Sequence, residues 1–550
     1  MRLALLATIF LGIPAYCQGN PGMDMQHHHL EASAEKLGEV HFAVSCKPTT
    51  KVPFERGIAL LHSFGYTEAE EQFREIATDD PACAMAHWGI AMSQFHELWG
   101  RPDAAAVKTG AAEIAIAREL AEKSPKPTPR EFAYIASLGD FYTAVPQSFQ
   151  KAADGYANSM AALHAAYPTD NEGAAFYALA LLASEAPDDT SLTKERKALA
   201  ILIPLFKAHP EHPGLAHYII HTCDTPALAQ DGLEAAKIYA GIAPSSAHAT
   251  HMPGHIFARL GMWQEDIASN LASVAASEKS EAAHEPGAAH QLHADEFLIY
   301  AWLQVGEDEK ARELTAKIRS IGDKMAAMPG MDDMKDSGHF FDNELRVIYF
   351  MEMHDWKQLA SVQPAAGSKY SDNFQVWWGQ GIAAGHLHDA TLATAALAEY
   401  DKDLEEMKKS PYADAIEGAQ IRRNVIVGWK AFAEDHPEEA IAAMQKSADQ
   451  QDKLGQGEVD IPSREMLGDL LMLLHKPKEA LVEYRVALKL SPNRLNGLLS
   501  AGAAAETLKN VPDASMYYAQ ASHNTDGGKD TTRVQHAKEY LAKYGTLGSR

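Results

Sequence analysis

At 550 residues the chain is long enough for three or four domains of about 150 residues, and 46% hydrophobic with 22% charged residues excludes wholesale disorder. Lys and Arg number 49 against 74 Asp and Glu; the formal net charge of −25 repels phosphate backbones and argues against a nucleic-acid partner. Histidine, at 26 residues, is the unusual count.

Residues 1–17 read as a secretory signal. Arg2 precedes an apolar run from Leu3 to Ile13, too short to span a bilayer, and Ala15 and Cys17 suit cleavage before Gln18. A lipoprotein signal acylated at Cys17 is the rival reading, but Pro14 stands where such signals want a Leu-like residue. No other apolar run reaches the ~18 residues of a membrane span. The mature chain is therefore expected to be exported, periplasmic or secreted, with no transmembrane segment. Residues 18–49, with the run His27-His28-His29, read as a mobile N-terminal arm. Export permits a disulfide among Cys46, Cys83 and Cys223; Cys46–Cys83 is the preferred pair, three buried thiols are the alternative, and the spacings match no zinc ribbon.

From residue 50 to 530 the dominant signal is a repeat. Leu467, Gly468, Leu471, Ala480, Tyr484, Ala487 and Pro492 occupy positions 7, 8, 11, 20, 24, 27 and 32 of a 34-residue unit, and Ala501, Gly502, Ala505, Ala514, Tyr518 and Ala521 repeat them in register. Small residues at 8 and 20 let two helices approach closely, the aromatic at 24 is expected to fill the space between repeats, and Pro at 32 stops the second helix. Gly57, Ala69, Phe73 and Pro81 mark an early unit, Gly232, Ala236, Tyr239 and Pro244 a central one, and Gly428, Ala440 and Met444 a late one. The expected fold is all-α: one continuous α-solenoid of roughly ten to twelve helical hairpins, which overrules the domain count from length. Loop insertions are expected at 324–337, where Met325, Met328, Met331 and Met334 recur, and at 449–460; residues 531–550 read as a C-terminal tail.

The sequence resembles the secreted bacterial tetratricopeptide-repeat (TPR) proteins over most of residues 50 to 528. The segments Leu60-Leu61-His62-Ser63-Phe64, Trp88-Gly89-Ile90-Ala91-Met92 and His251-Met252-Pro253-Gly254-His255-Ile256-Phe257 carry the likeness within that group. The resemblance implies a right-handed superhelix whose concave groove is lined by repeat positions 2, 5, 9, 12 and 13, and a peptide or protein partner received there. It supplies no reaction.

Histidines fall on those positions. His217 and His221 occupy positions 5 and 9 of one unit, His251 and His255 the same positions 34 residues later, and His248 position 2. His293, Glu296 and Tyr300 take positions 2, 5 and 9 of the next unit, and His62 and His96 share position 13 of the first two. Imidazoles at i and i+4 point the same way and can grip Zn or Cu; the pair His251 and His255 on a neighbouring helix, with Glu296 or Asp295 nearby, could complete a four-ligand site with His217 and His221. Pro253 weighs against this by disfavouring helix at Met252. Packed rings should also hold one another's pKa below about 6.5. The methionine run, and Met23 and Met25 beside the His27 run, could offer thioethers to Cu(I), or simply fill gaps in the core.

No HExxH, GxSxG, Walker loop or GxGxxG is present, so an enzyme is the less favoured class. The first functional reading is a scaffold that binds a peptide or protein in a groove lined by histidines and aromatics. The alternative is a metal-binding protein, or a metal-dependent hydrolase, using the central histidines.

Overall fold

A computed structural model describes residues 35–98, 101–123, 126–186, 189–283, 286–328, 331, 334–410, 416–526, 528 and 532–544. The signal segment at 1–17, Met23, Met25 and the His27 run lie outside these residues. All regular structure among the described residues is helical, as expected, and no helix among them is long and apolar enough to cross a membrane.

The repeat arithmetic becomes hairpins of two helices. Lys51–His62 pairs with Tyr66–Asp79, Ser463–Leu473 with Pro477–Leu490, and Leu495–Thr507 with Val511–Asn524. Within each hairpin the glycine at position 8 lies against the large side chain at position 24 of the same unit. A Cβ on Gly468 would lie 2.5 Å from the Tyr484 ring, one on Gly502 2.4 Å from Tyr518, and one on Gly57 2.7 Å from Phe73. The aromatic therefore fills the space inside its own hairpin, and Phe73 also fills the expected place between repeats, since a Cβ on Gly89 of helix Ala84–Ser93 would lie 2.4 Å from its ring. Position 15 makes the turn with a positive φ, carried by Phe64, Gly261, Gly306, Asp435, His475 and Lys509. Three further histidines, His96, His354 and His388, adopt this left-handed conformation, which His tolerates better than most residues. Part of the histidine surplus is thus turn chemistry.

The chain divides into two compact units, residues 35–256 with 272–290, and residues 257–271 with 291–544. In the first, helix Lys51–His62 packs on Pro213–Cys223, which also packs on Asn171–Ala183. A solenoid that touched only its neighbours would not make the first of these contacts. Residues 35–47, expected as part of a mobile arm, are fastened to this unit. Glu39 N–H donates to the Glu211 carbonyl at 2.9 Å, and Phe42, with no exposed surface, packs its ring against Phe54, Trp88 and Tyr134. Cys46 and Cys83 form the preferred disulfide, across 37 residues; Cys223 is a buried free thiol.

In the second unit both expected insertions shrink. Helices Ile318–Ala326 and Met334–Glu352 run into the first, crossing where Gly322 meets Gly338, and Met325, Met328, Met331 and Met334 are all buried as packing. Helix Pro437–Leu454 continues through the second until Gly455 turns the chain at φ 101°, after which Val459 and Asp460 are buried. Of the expected C-terminal tail, Gln535–Tyr544 is a helix, held by buried Ala537 and Tyr540.

Candidate functional site: a buried histidine cluster

Helix Pro213–Cys223 starts on His212, whose ring nitrogen Nδ1 accepts the Leu215 N–H at 3.3 Å. Pro213 in the first turn lacks the N–H that a helix start cannot satisfy, and Gly214 lets the helix close on His62: a Cβ there would lie 2.5 Å from His62 Nδ1. His62 is consequently fully buried and does not line a groove. Its Nε2 lies 2.7 Å from Glu172 Oε2, and His212 Nε2 lies 3.0 Å from Glu172 Oε1. An ionised carboxylate only accepts, so both imidazoles donate to it, and His62 Nδ1 accepts from the Tyr218 hydroxyl at 2.8 Å. Burial works to raise the Glu172 pKa, but His212 and His62 outweigh it and hold the carboxyl well below the usual range.

The His62 carbonyl fixes the next ring. It accepts from His217 Nδ1 at 2.6 Å, so the lone pair of a neutral His217 is on Nε2, which faces His248 Nε2 at 3.0 Å. His221, one turn further on, brings its ring centroid to 4.6 Å from that of His217. One ring nitrogen from each of His217, His221 and His248 lies within 4.8 Å of the other two. Phe64, held at φ 58°, caps the group by stacking on His221 and His248. His290 stands 5.2 Å from His248, ring to ring.

Burial is the chief reason His217 and His248 stay neutral. It pushes His217 down to about 3 and His248 well below its ordinary value, with neighbouring imidazoles adding a smaller repulsion to each. The direction is the one expected from ring packing; the larger cause is desolvation.

His251 and His255 form a separate pair. Helix Ala247–His251 stops, Met252 keeps right-handed helical angles, and Pro253–Arg259 begins a new helix. The break does not part the rings: His251 Nε2 lies 3.0 Å from His255 Nε2, and His255 Nδ1 donates to Asp224 Oδ2 at 3.0 Å. The expected single site of His217, His221, His251 and His255 is therefore replaced by two groupings, with His248 joining the first.

The remaining expected groove residues are placed differently. His96 sits in a left-handed turn at φ 50°, stacked on Tyr66, and burial pushes it down to about 4. His293, Glu296 and Tyr300 belong to the second unit. His293 Nδ1 lies 2.8 Å from Glu296 Oε2. Glu296 and Tyr300 are buried and line no open groove, since the Tyr300 hydroxyl donates to the Asp460 carbonyl at 2.7 Å and meets Arg494. Glu172, His212, Tyr218, Phe64 and Asp224 were not legible as site residues; the one local cue was the Pro-Gly step at Pro213-Gly214, repeated at Pro253-Gly254.

No family model matches the sequence, and no curated protein matches it. Among solved structures, the chain is similar to the human IFIT1 dimer with m7Gppp-AAAA, at 11% identity and a TM-score of 0.36, covering 85% of this chain and 90% of that one. It is similar also to a monomeric mutant of IFIT1 with Gppp-AAAA, at 11% identity and a TM-score of 0.35, covering 91% and 97%. A likeness at that TM-score transfers neither ligand nor partner; the helical-hairpin fold and the site rest on the chain's own geometry.

Proposed function

We propose that this protein binds a transition-metal ion, zinc or copper, at His217, His221 and His248. The supporting observation is that three imidazoles converge with ring nitrogens within 4.8 Å of one another. Neutral imidazole is the ligating form, and an all-nitrogen set suits Zn²⁺ and Cu²⁺. Metal–nitrogen bonds of ~2.0–2.1 Å at tetrahedral angles place ligand atoms ~3.4 Å apart, a small opening of the His217–His248 contact. The His62 carbonyl on His217 Nδ1 is the kind of outer contact that orients a metal-ligating ring. Three protein ligands leave a position open, where a hydrolytic water or a substrate group would bind.

Untagged protein should take up Zn²⁺ or Cu²⁺ and melt at a higher temperature, gaining about 2.7 kcal/mol at a free metal concentration of 100 Kd. The variant carrying His217→Gln and His248→Gln should lose both effects. Uptake below about 0.2 equivalents in the wild type, with no change in melting, would exclude the site.

A second reading, a scaffold for a protein or peptide segment, is favoured by the second unit. A small pocket there, of about 20 Å³, is lined by His354, Trp356, His386, Glu465, Asp469 and Arg494 among others, with the Trp356 and His386 rings stacked at 3.7 Å. A partner isolated on the wild-type protein should be lost with Trp356→Ala. Equal recovery on both would remove this reading.

A further inference from the structure

The two histidine groupings differ in what they surround. His217 Nε2 faces His248, whereas His251 Nε2 faces His255. The groupings adjoin at His248 and His251, whose ring centroids are 6.4 Å apart. A single ion held by the first group has its ligands in place without His251 or His255. We propose that His251 and His255 form a second metal position, so that the cluster takes two transition-metal ions side by side; this rests on the reading of His217, His221 and His248 given above.

The geometry of the pair supports it. The two nitrogens stand 3.0 Å apart and need open only to ~3.4 Å to share an ion with bonds of ~2.0–2.1 Å. Because His255 Nδ1 donates to Asp224, a neutral His255 carries its lone pair on Nε2, towards His251. This carboxylate–imidazole contact is the arrangement that raises ligand basicity and orients the ring. The helix break at Met252 leaves the convergence intact: Met252 keeps right-handed helical angles, so His255 still falls one turn beyond His251, which is itself 2% exposed.

Charge is compensated at the second position. Asp224 stands directly behind His255, so this ion has a carboxylate beyond its ligands, which offsets part of the repulsion between two dications in one cluster.

Titration of the untagged full chain with Cu²⁺ should saturate at two equivalents, counted by elemental analysis after gel filtration. The doubly loaded protein should show the broadened or coupled electron-paramagnetic signal of two nearby copper ions. Replacing His251→Gln and His255→Gln together should leave one equivalent and an uncoupled spectrum. Asp224→Asn, a milder change at a positioning residue, should weaken only the second equivalent by about 10- to 100-fold. Saturation of the wild type at one equivalent, or two equivalents retained by the double variant, would overturn the second position while leaving the first. No uptake at all would overturn both.

Discussion

Replacing Arg494 by Met should destabilise the second unit by about 3–5 kcal/mol, the cost of breaking a buried ion network from one side. Arg494 is 1% exposed, and one of its Nη atoms lies 2.7 Å from both Glu352 and Glu465. Both carboxylates are buried as well. Methionine keeps the length of the stem but none of the charge. Glu352 would retain Asn496 and a longer contact to Arg533 at 3.6 Å, while Glu465 would lose the cation that holds it at two points. Urea unfolding with an unchanged slope is the measurement; a loss under about 1 kcal/mol would mean that the carboxylates do not depend on Arg494. Adding Glu465→Gln to Arg494→Met should recover part of the loss, because the stranded charge is then gone.

Asp469, beside this network, should make the second unit more stable as pH falls. Burial, followed by repulsion from Glu465, pushes its carboxyl up to about 7, against hydrogen bonds from Tyr484 at 2.7 Å and Ser500 at 3.4 Å. Its folded pKa is raised above the unfolded value of about 3.9, so the folded state binds the extra proton. Stability from this group is complete in acid and is lost as pH rises through about 7. Between pH 8 and 5.5 the wild type should gain about 1–2 kcal/mol that Asp469→Asn does not, after a discount for the partial exposure of the side chain. Parallel slopes of stability against pH in the two proteins would show that Asp469 titrates normally.

The sequence by itself determined the hairpins. Gly468 with Tyr484, Gly502 with Tyr518 and Gly57 with Phe73 are pairs sixteen residues apart whose contact is made inside one unit, so their spacing survives whatever the rest of the chain does. Register also placed His217 and His221 on one helix and His251 and His255 across one short break, since neighbours on a helix are set by its period. What those rings do was decided by the tertiary structure. Glu172 reaches His62 over 110 residues, and His217 reaches the His62 carbonyl over 155, because helix Lys51–His62 returns onto Pro213–Cys223. No repeat position encodes that return. It removed His62 from the expected groove, fixed the His217 tautomer, and drew His248 into the first grouping in place of His251 and His255. The physical reason is burial: the period of a helix fixes direction around its axis, but whether an imidazole meets water, a carboxylate or another imidazole depends on which distant helix covers it.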